Sequence, residues 1–184
     1  MEYTHVLLVD QNDQPIGEEE KLAAHQKGLL HRAFSIVVYR QGHQGVEVLL
    51  QKRASEKYHC AGQWSNTCCS HPQANQPMES CLTSRLKFEM GITGQQFHFA
   101  EKFIYKQPCK GGLTEHEVDH VYLAPFQPSA INPNPNEVEA YTWQPLTKLL
   151  DDIPQNPQNY TPWLLDVMKI TFNHLQKNNQ LKTA

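Results

Sequence analysis

Apolar positions along the chain fall into short runs broken by turn-forming residues. "HVLLVD" has the aliphatic content of a strand, and "QNDQPIG" (Gln11 to Gly17) reads as its turn. "EEEKLAAHQKG" (Glu18 to Gly28) fits a short helix or an ordered loop. In "AFSIVVYRQGHQGVEVLLQKR" two β-branched runs flank the glycine-containing link Gln41 to Gly45, which predicts a hairpin. Met78, Leu82, Leu86 and Met90 recur about once per helical turn, with Pro77 at the start and Gly91 just past the end. That pattern predicts an amphipathic helix.

Three more strands are predicted in "QFHFAEKFIYKQ", "EHEVDHVYLAPF" and "VEAYTWQP", then a short helix in "PLTKLLDDI". "TPWLLDVMKITFNHLQK" reads as a last helix, with Thr161 as its cap and Pro162 at its first position. "QPSAINPNPNE" is a loop within the domain. Strand, hairpin, helix, three strands and helix make an α+β order, a mixed and largely antiparallel sheet in one domain over residues 1–184.

Hydrophobic residues at 39% and charged residues at 19% fit a soluble globular chain. A net charge of −3 excludes a global attraction to nucleic acid or an anionic membrane, so an anionic ligand needs a local cluster. Runs such as "FSIVVY" are too short to span a bilayer, and "MEYTHVLLVD" lacks the basic-then-apolar order of a signal peptide. Five cysteines without framework spacing favour a reducing cytoplasm. A monomer or weak dimer is expected.

The candidate chemistry is concentrated in "GQWSNTCCSHPQ". Its Cys-x-His unit is too short for a structural zinc domain, and a thiol beside an imidazole is a plausible reactive pair. Of the ten histidines, His43, His98 and His174 fit surface or packing roles. His25 and His31 flank "QKGLL", and His71 follows the cysteines. Glu115 and Glu117 stand two apart on a predicted strand, so both leave one face roughly 7 Å apart. Two carboxylates and three imidazoles can share one cation; the same spacing equally fits a solvated strand face. Lys21, Arg53, Lys57 and Arg85 are scattered basic residues that fit either a surface or a phosphate clamp. Glu89 could hold a Mg²⁺ that bridges phosphate oxygens, and Trp163 could fill core or face a cation.

Taken together the chain resembles the type I isopentenyl-diphosphate Δ-isomerases, a branch of the Nudix-type α/β/α fold. The matching pieces are "EKLAAH", "LLHRAFS", "QWSNTCCSHP", "FEMGI", "FIYK", "EHEV" and "TPW", in family order from Lys21 to Trp163. The resemblance implies one divalent metal, Zn²⁺, Mn²⁺ or Mg²⁺, on His25, His31, His71, Glu115 and Glu117. It implies Cys69 rather than Cys68 as the catalytic thiol, because Cys69 fits the Cys-x-His-Pro frame. Lys21, Arg53, Lys57 and Arg85 would clamp a diphosphate, and Glu89 would ligate a substrate-associated Mg²⁺. Tyr105 would neighbour the catalytic Glu117, and Trp163 would face the isoprenoid carbons, with the last helix as a lid behind it. The implied small-molecule substrates are isopentenyl and dimethylallyl diphosphate.

The alternative is a Nudix diphosphate hydrolase. The Nudix consensus, set back from Gly91, keeps Glu89 but meets Phe88, Arg85, Ser84, Gln76 and Ser70 at its other signature positions. Most of the carboxylates that a hydrolase needs to gather metal ions and activate water are gone. A cation stands in place of one of them, and it suits holding a diphosphate rather than cleaving it.

Overall fold

In the computed structural model, which describes residues 4–57 and 59–181 (Lys110 by its backbone alone), thirteen strands and α-helices follow one another. They are β1 (His5–Val9), β2 (Pro15–Glu20), α1 (Lys21–Lys27), β3 (His31–Gly42), β4 (Gly45–Arg53), β5 (Trp64–Ser65) and β6 (Cys68–Ser70). Then come α2 (Met78–Met90), β7 (His98–Pro108), β8 (Thr114–Pro125), β9 (Val138–Pro145), α3 (Leu146–Gln155) and α4 (Leu164–Lys177). The nine strands join one sheet. β3 pairs in parallel with β8, and the other ladders are antiparallel, so the expected mixed and largely antiparallel sheet is the one that forms.

The long apolar run of β3 is buried on both faces. Phe34, Ile36 and Val38 pack with Leu82, Leu86 and Met90 of α2. Val37 and Tyr39 point the other way, into Leu149, Leu164, Val167 and Met168 of α3 and α4. Period-two alternation thus feeds two cores, one under each helical layer, and gives the α/β/α sandwich. The helix from Pro77 to Gly91 forms as its spacing predicts; Gly91 closes it at φ 67°. Its buried face also carries Arg85 and Glu89, which the apolar spacing does not reveal.

Two expectations need correction and two become definite. The turn after β1 is shorter than Gln11 to Gly17, because Pro15–Glu20 pairs with β1 as an exposed edge strand. An edge strand with neither face buried has no apolar alternation to display. Within Glu18 to Gly28 the helix is only Lys21–Lys27, where the Glu20 carboxylate caps the amides of Leu22 and Ala23. The last helix starts at Leu164, not Pro162: the Thr161 carbonyl accepts from the Leu164 amide, and its hydroxyl donates to Ser65 instead of capping. Finally, α4 buries Leu164, Val167, Met168 and Leu175 in a core shared with α3. It packs as a layer behind Trp163, in the place expected of a covering helix.

Candidate active site

The parallel ladder of β3 and β8 sets His31 opposite Glu117. Along β8 the two-residue period sends Glu115, Glu117 and Asp119 to one face, each at most 7% exposed. α1 delivers His25, and Gly28 at φ 61° lets the chain leave that helix and turn into β3. The short β6 pairs Cys69 with Ser35 of β3 and carries His71 in just beyond it. On β7, Tyr105 lies directly opposite Glu117.

These placements converge. One ligand atom each from His25, His31, His71 and Glu117 lie within 4.8 Å of one another, and so do those of His25, His59 and Glu115. His71 Nε2 stands 3.0 Å and His31 Nε2 3.4 Å from Glu117 Oε1, while His25 Nε2 is 3.3 Å from Glu115 Oε2. Nδ1 of His25 donates to the Lys21 carbonyl at 2.6 Å, and Nδ1 of His31 to that of Leu29 at 2.8 Å. With Nδ1 held against a carbonyl, each ring points Nε2 inward, where it can carry a proton toward the facing carboxylate or offer its lone pair to a cation, the usual outer-shell arrangement of a metal-ligating histidine.

Electrostatics follow from this crowding. Burial would raise the Glu117 carboxyl, but His31 and His71 outweigh it and hold the group well below the usual carboxylate range. Glu115 is pushed up by burial and by the neighbouring Glu117 charge. Burial drives the His71 imidazole down to about 3. Burial opposes charge on His25, but its Glu115 partner more than offsets this and raises it. His31 Nε2 and Glu115 Oε2 are buried without a hydrogen-bond partner among the described residues. A divalent cation fits this donor set, satisfying those atoms and relieving the repulsion between the two carboxylates.

Beside the cluster lies Cys69. The Asn66 amide nitrogen donates to the carbonyls of Ile36 (3.1 Å) and Cys68 (3.0 Å), which turns its oxygen toward Cys69. The thiol donates to that oxygen at 2.9 Å and therefore carries its proton. Burial and the nearby Asp119 push the thiol up to about 12. Asp119 itself, buried and next to Glu117, is pushed up to about 8, with Ser35 donating to it at 2.7 Å. The indole N–H of Trp163 reaches the Cys69 sulfur at 3.2 Å. The Tyr105 phenol donates to Glu117 Oε2 at 2.6 Å, and burial with the Glu117 charge holds it well above its ordinary value.

The same cavity is also lined by the cations Lys21, Arg53, Lys57 and Arg85. Burial first, then the positive fields of Lys57, Arg85 and Arg53, depress the Lys21 ammonium, as convergence of four cations demands. Carboxylates temper them: Arg85 donates to Glu89 at 2.6 Å, and Lys57 pairs with Glu137. Gln51 holds the second Glu89 oxygen at 3.1 Å.

Every residue expected to act in catalysis, the diphosphate clamp or metal binding thus lines this cavity or the His/Glu cluster beside it. The cavity wall also includes Asp119, His59 and Glu137, three titratable groups that the sequence reading does not single out. Asp119 continues the period of Glu115 and Glu117, so its signal is present in "EHEVD". His59 and Glu137 sit in loops and carry no local signal. His43 and His98 are exposed and His174 is half-buried, in keeping with surface roles.

Comparison with known proteins agrees with this architecture. A NUDIX domain matches residues 29–164. The isopentenyl-diphosphate Delta-isomerase of Aliivibrio fischeri (strain MJ11) is 42% identical over 178 residues, covering 95% of this chain and 98% of that protein. That of Photobacterium profundum is 41% identical over 171 residues, covering 92% and 95%. Among solved structures, DR0079 from Deinococcus radiodurans superposes with a TM-score of 0.72 at 15% identity, covering 90% of this chain and 97% of that one. The MutT protein from Methanosarcina mazei Go1 gives 0.62 at 15% identity, covering 81% and 95%; at such identities the likeness is one of fold. With relatives above 40% identity along nearly their whole length and a NUDIX domain at its centre, the chain belongs to the isopentenyl-diphosphate Delta-isomerase family.

Proposed function

We propose that the protein, acting as one domain, interconverts isopentenyl and dimethylallyl diphosphate by adding and removing a proton through a tertiary carbocation, a step of isoprenoid biosynthesis. The observation that carries this reading is a single cavity lined by two unlike sets of groups. One set is four cations for a diphosphate; the other is Cys69, the Glu117–Tyr105 pair and Trp163, whose ring lies 5.9 Å from the Arg53 guanidinium.

The chemistry requires a proton to join the terminal alkene carbon and another to leave the far side of the resulting cation. An alkene is a very weak base, so the proton must come from a group held close and away from bulk water. Cys69, held as a thiol, and Glu117, held ionised with the Tyr105 hydroxyl on it, offer one proton-bearing and one proton-accepting group without prior rearrangement. Trp163, buried at 4% exposure, supports the intervening cation through its indole, by ~2 kcal/mol when desolvated, or more than tenfold in rate. Lys21, Arg53, Lys57 and Arg85 neutralise the diphosphate and fix the five-carbon tail against these groups.

His25, His31, His71, Glu115 and Glu117 suit Zn²⁺, Mn²⁺ or Mg²⁺, which when bound would fix and polarise the Glu117 carboxylate. Glu89, beside the cations, suits a Mg²⁺ that arrives with the diphosphate. Phosphate hydrolysis fits less well, since α2 turns Arg85 and one carboxylate, Glu89, into the cavity rather than several carboxylates. No helix among the described residues is long and apolar enough to cross a membrane; a cytoplasmic monomer or weak dimer is the corresponding proposal. The test is incubation with isopentenyl diphosphate and Mg²⁺ in D₂O, followed by NMR. Dimethylallyl diphosphate with allylic deuterium is expected; release of phosphate with no isomer would overturn the reading.

A further inference from the structure

His59 lies between the two halves of the site. Its Nε2 stands 3.1 Å from Glu115 Oε1, and its Nδ1 stands 3.2 Å from an Arg53 guanidinium nitrogen, which also reaches the His59 carbonyl at 3.4 Å. The ring is 8% exposed and stacks on His25 with centroids 5.8 Å apart. Since His25, His59 and Glu115 gather their ligand atoms within 4.8 Å, His59 has two conceivable roles: a further metal ligand, or a strut behind the ligands.

The Arg53 contact separates them. A guanidinium only donates, so Nδ1 of His59 has to accept. A neutral ring that accepts at Nδ1 keeps its proton on Nε2, and that N–H faces the Glu115 oxygen. No lone pair is left there for a cation. His25 and His31 are arranged in the opposite sense, with Nδ1 against a carbonyl and Nε2 turned inward. Glu115 is divided accordingly: Oε1 meets His59, whereas Oε2 is buried, lacks a hydrogen-bond partner among the described residues, and faces the histidine cluster.

We propose that His59 is a positioning residue that ties Arg53 of the diphosphate clamp to Glu115 of the metal site. Building on the function proposed above, the link aims the Arg53 guanidinium and presents Glu115 Oε2 to the cation, so that order at one end is transmitted to the other.

The test uses the full chain with His59→Ala and His59→Gln. A glutamine can accept from Arg53 and donate to Glu115, yet is a poor ligand for a divalent transition metal. Three quantities are read: the visible spectrum and Kd of the Co²⁺ form, the Kd of metal-free protein for inorganic pyrophosphate, and KM against kcat for isopentenyl diphosphate. His59→Ala is expected to weaken Co²⁺ and pyrophosphate each about tenfold and to raise KM similarly, with an unaltered Co²⁺ band shape. His59→Gln is expected to recover each to within about threefold of the parent. A Co²⁺ spectrum that loses an imidazole in either variant makes His59 a ligand and overturns the proposal. So does a glutamine variant as impaired as the alanine one, or an alanine variant that changes nothing. Should His59→Ala fail to fold, His59→Phe, which keeps the ring without its nitrogens, takes its place. A parent protein without isomerase turnover would sink the proposed function, while the Co²⁺ and pyrophosphate measurements would still decide the role of His59.

Discussion

Tyr105 and Glu117 face each other across the β7–β8 ladder, and the phenol donates to Oε2 at 2.6 Å while His71 holds Oε1 at 3.0 Å. The carboxylate is therefore gripped on both oxygens, one by the cluster and one by a hydroxyl that borders the cavity. Glu117→Gln keeps the shape but cannot take up a proton, so kcat is expected to fall by ~10²–10⁴. Tyr105→Phe removes one hydrogen bond to a charged group, worth ~1.5–3 kcal/mol, and is expected to lower kcat by ~10-fold or more. Following the vinyl and methyl protons by NMR measures both. Near-parental rates in Glu117→Gln would remove this carboxylate from the reaction.

The adjacent cysteines have different surroundings, so their alanine variants separate chemistry from packing. Cys68 is fully buried against Phe34, Leu82 and Leu86, whereas Cys69 faces the cavity and the Trp163 indole. Cys69→Ala is expected to cut kcat by ~10²–10⁴ with little change in melting temperature. Cys68→Ala leaves a small void and is expected to cost ~1 kcal/mol of stability with kcat within a few-fold of the parent. Reversal of this pattern would place the reacting thiol one residue earlier.

Such contrasts mark how far local sequence reaches. The helix from Pro77 to Gly91, the hairpin about Gln41 to Gly45 and the strands β3, β4 and β8 announce themselves because each sets apolar side chains against a core. β2 is exposed and acidic, and β6 is three residues long, so neither has a period to show. Glu115 and Glu117 are legible as one face of a strand, and Asp119 extends that face. Their meeting with His31 depends on the parallel ladder between β3 and β8, a pairing of segments distant in sequence. His59 and Glu137 enter the site from loops, where only the folded chain brings them to Arg53 and Lys57.

Arg85 donates to Glu89 on α2 and lines the cavity among the clamp cations, and it exchanges no proton in the proposed reaction. Its attraction for a diphosphate is the same in substrate and transition state. Arg85→Ala is therefore expected to raise KM by ~10-fold or more with kcat little changed. Steady-state kinetics over a wide substrate range checks this; a fall in kcat at constant KM would remove Arg85 from the clamp.

Asp13 offers a prediction away from the site. It accepts from Arg32 at 2.7 Å and Lys102 at 2.9 Å and meets His120 Nε2 at 2.9 Å, tying the β1–β2 turn to β3, β7 and β8. Burial would raise its carboxyl, but Lys102 and Arg32 prevail and hold it below the ordinary value. Its contribution is thus complete above about pH 4 and is lost as pH falls through the lower folded-state value. Asn tolerates the φ of 66° at this position. Asp13→Asn is expected to cost ~1–2 kcal/mol at pH 7, a difference that shrinks below about pH 4. Paired denaturant titrations across that range measure it, and a pH-independent difference would show that the charge is not the cause.

The His/Glu cluster brings buried lone pairs and two carboxylates together, an arrangement costly to the metal-free fold and relieved by a cation. Because an unfolded chain lacks this geometry, metal binding has to appear as stability. At a free metal concentration 100 times Kd the gain is ~2.7 kcal/mol, or a rise of roughly 5–10 °C in Tm for a chain of this size. Chelation of the purified protein is expected to lower Tm, and Mn²⁺ or Zn²⁺ to restore it. His31→Ala, which removes one inward lone pair, is expected to abolish most of that shift. A metal-induced rise that survives in His31→Ala would mean that the stabilising ion sits elsewhere, because no cation held by this cluster can be indifferent to the ring that faces Glu117.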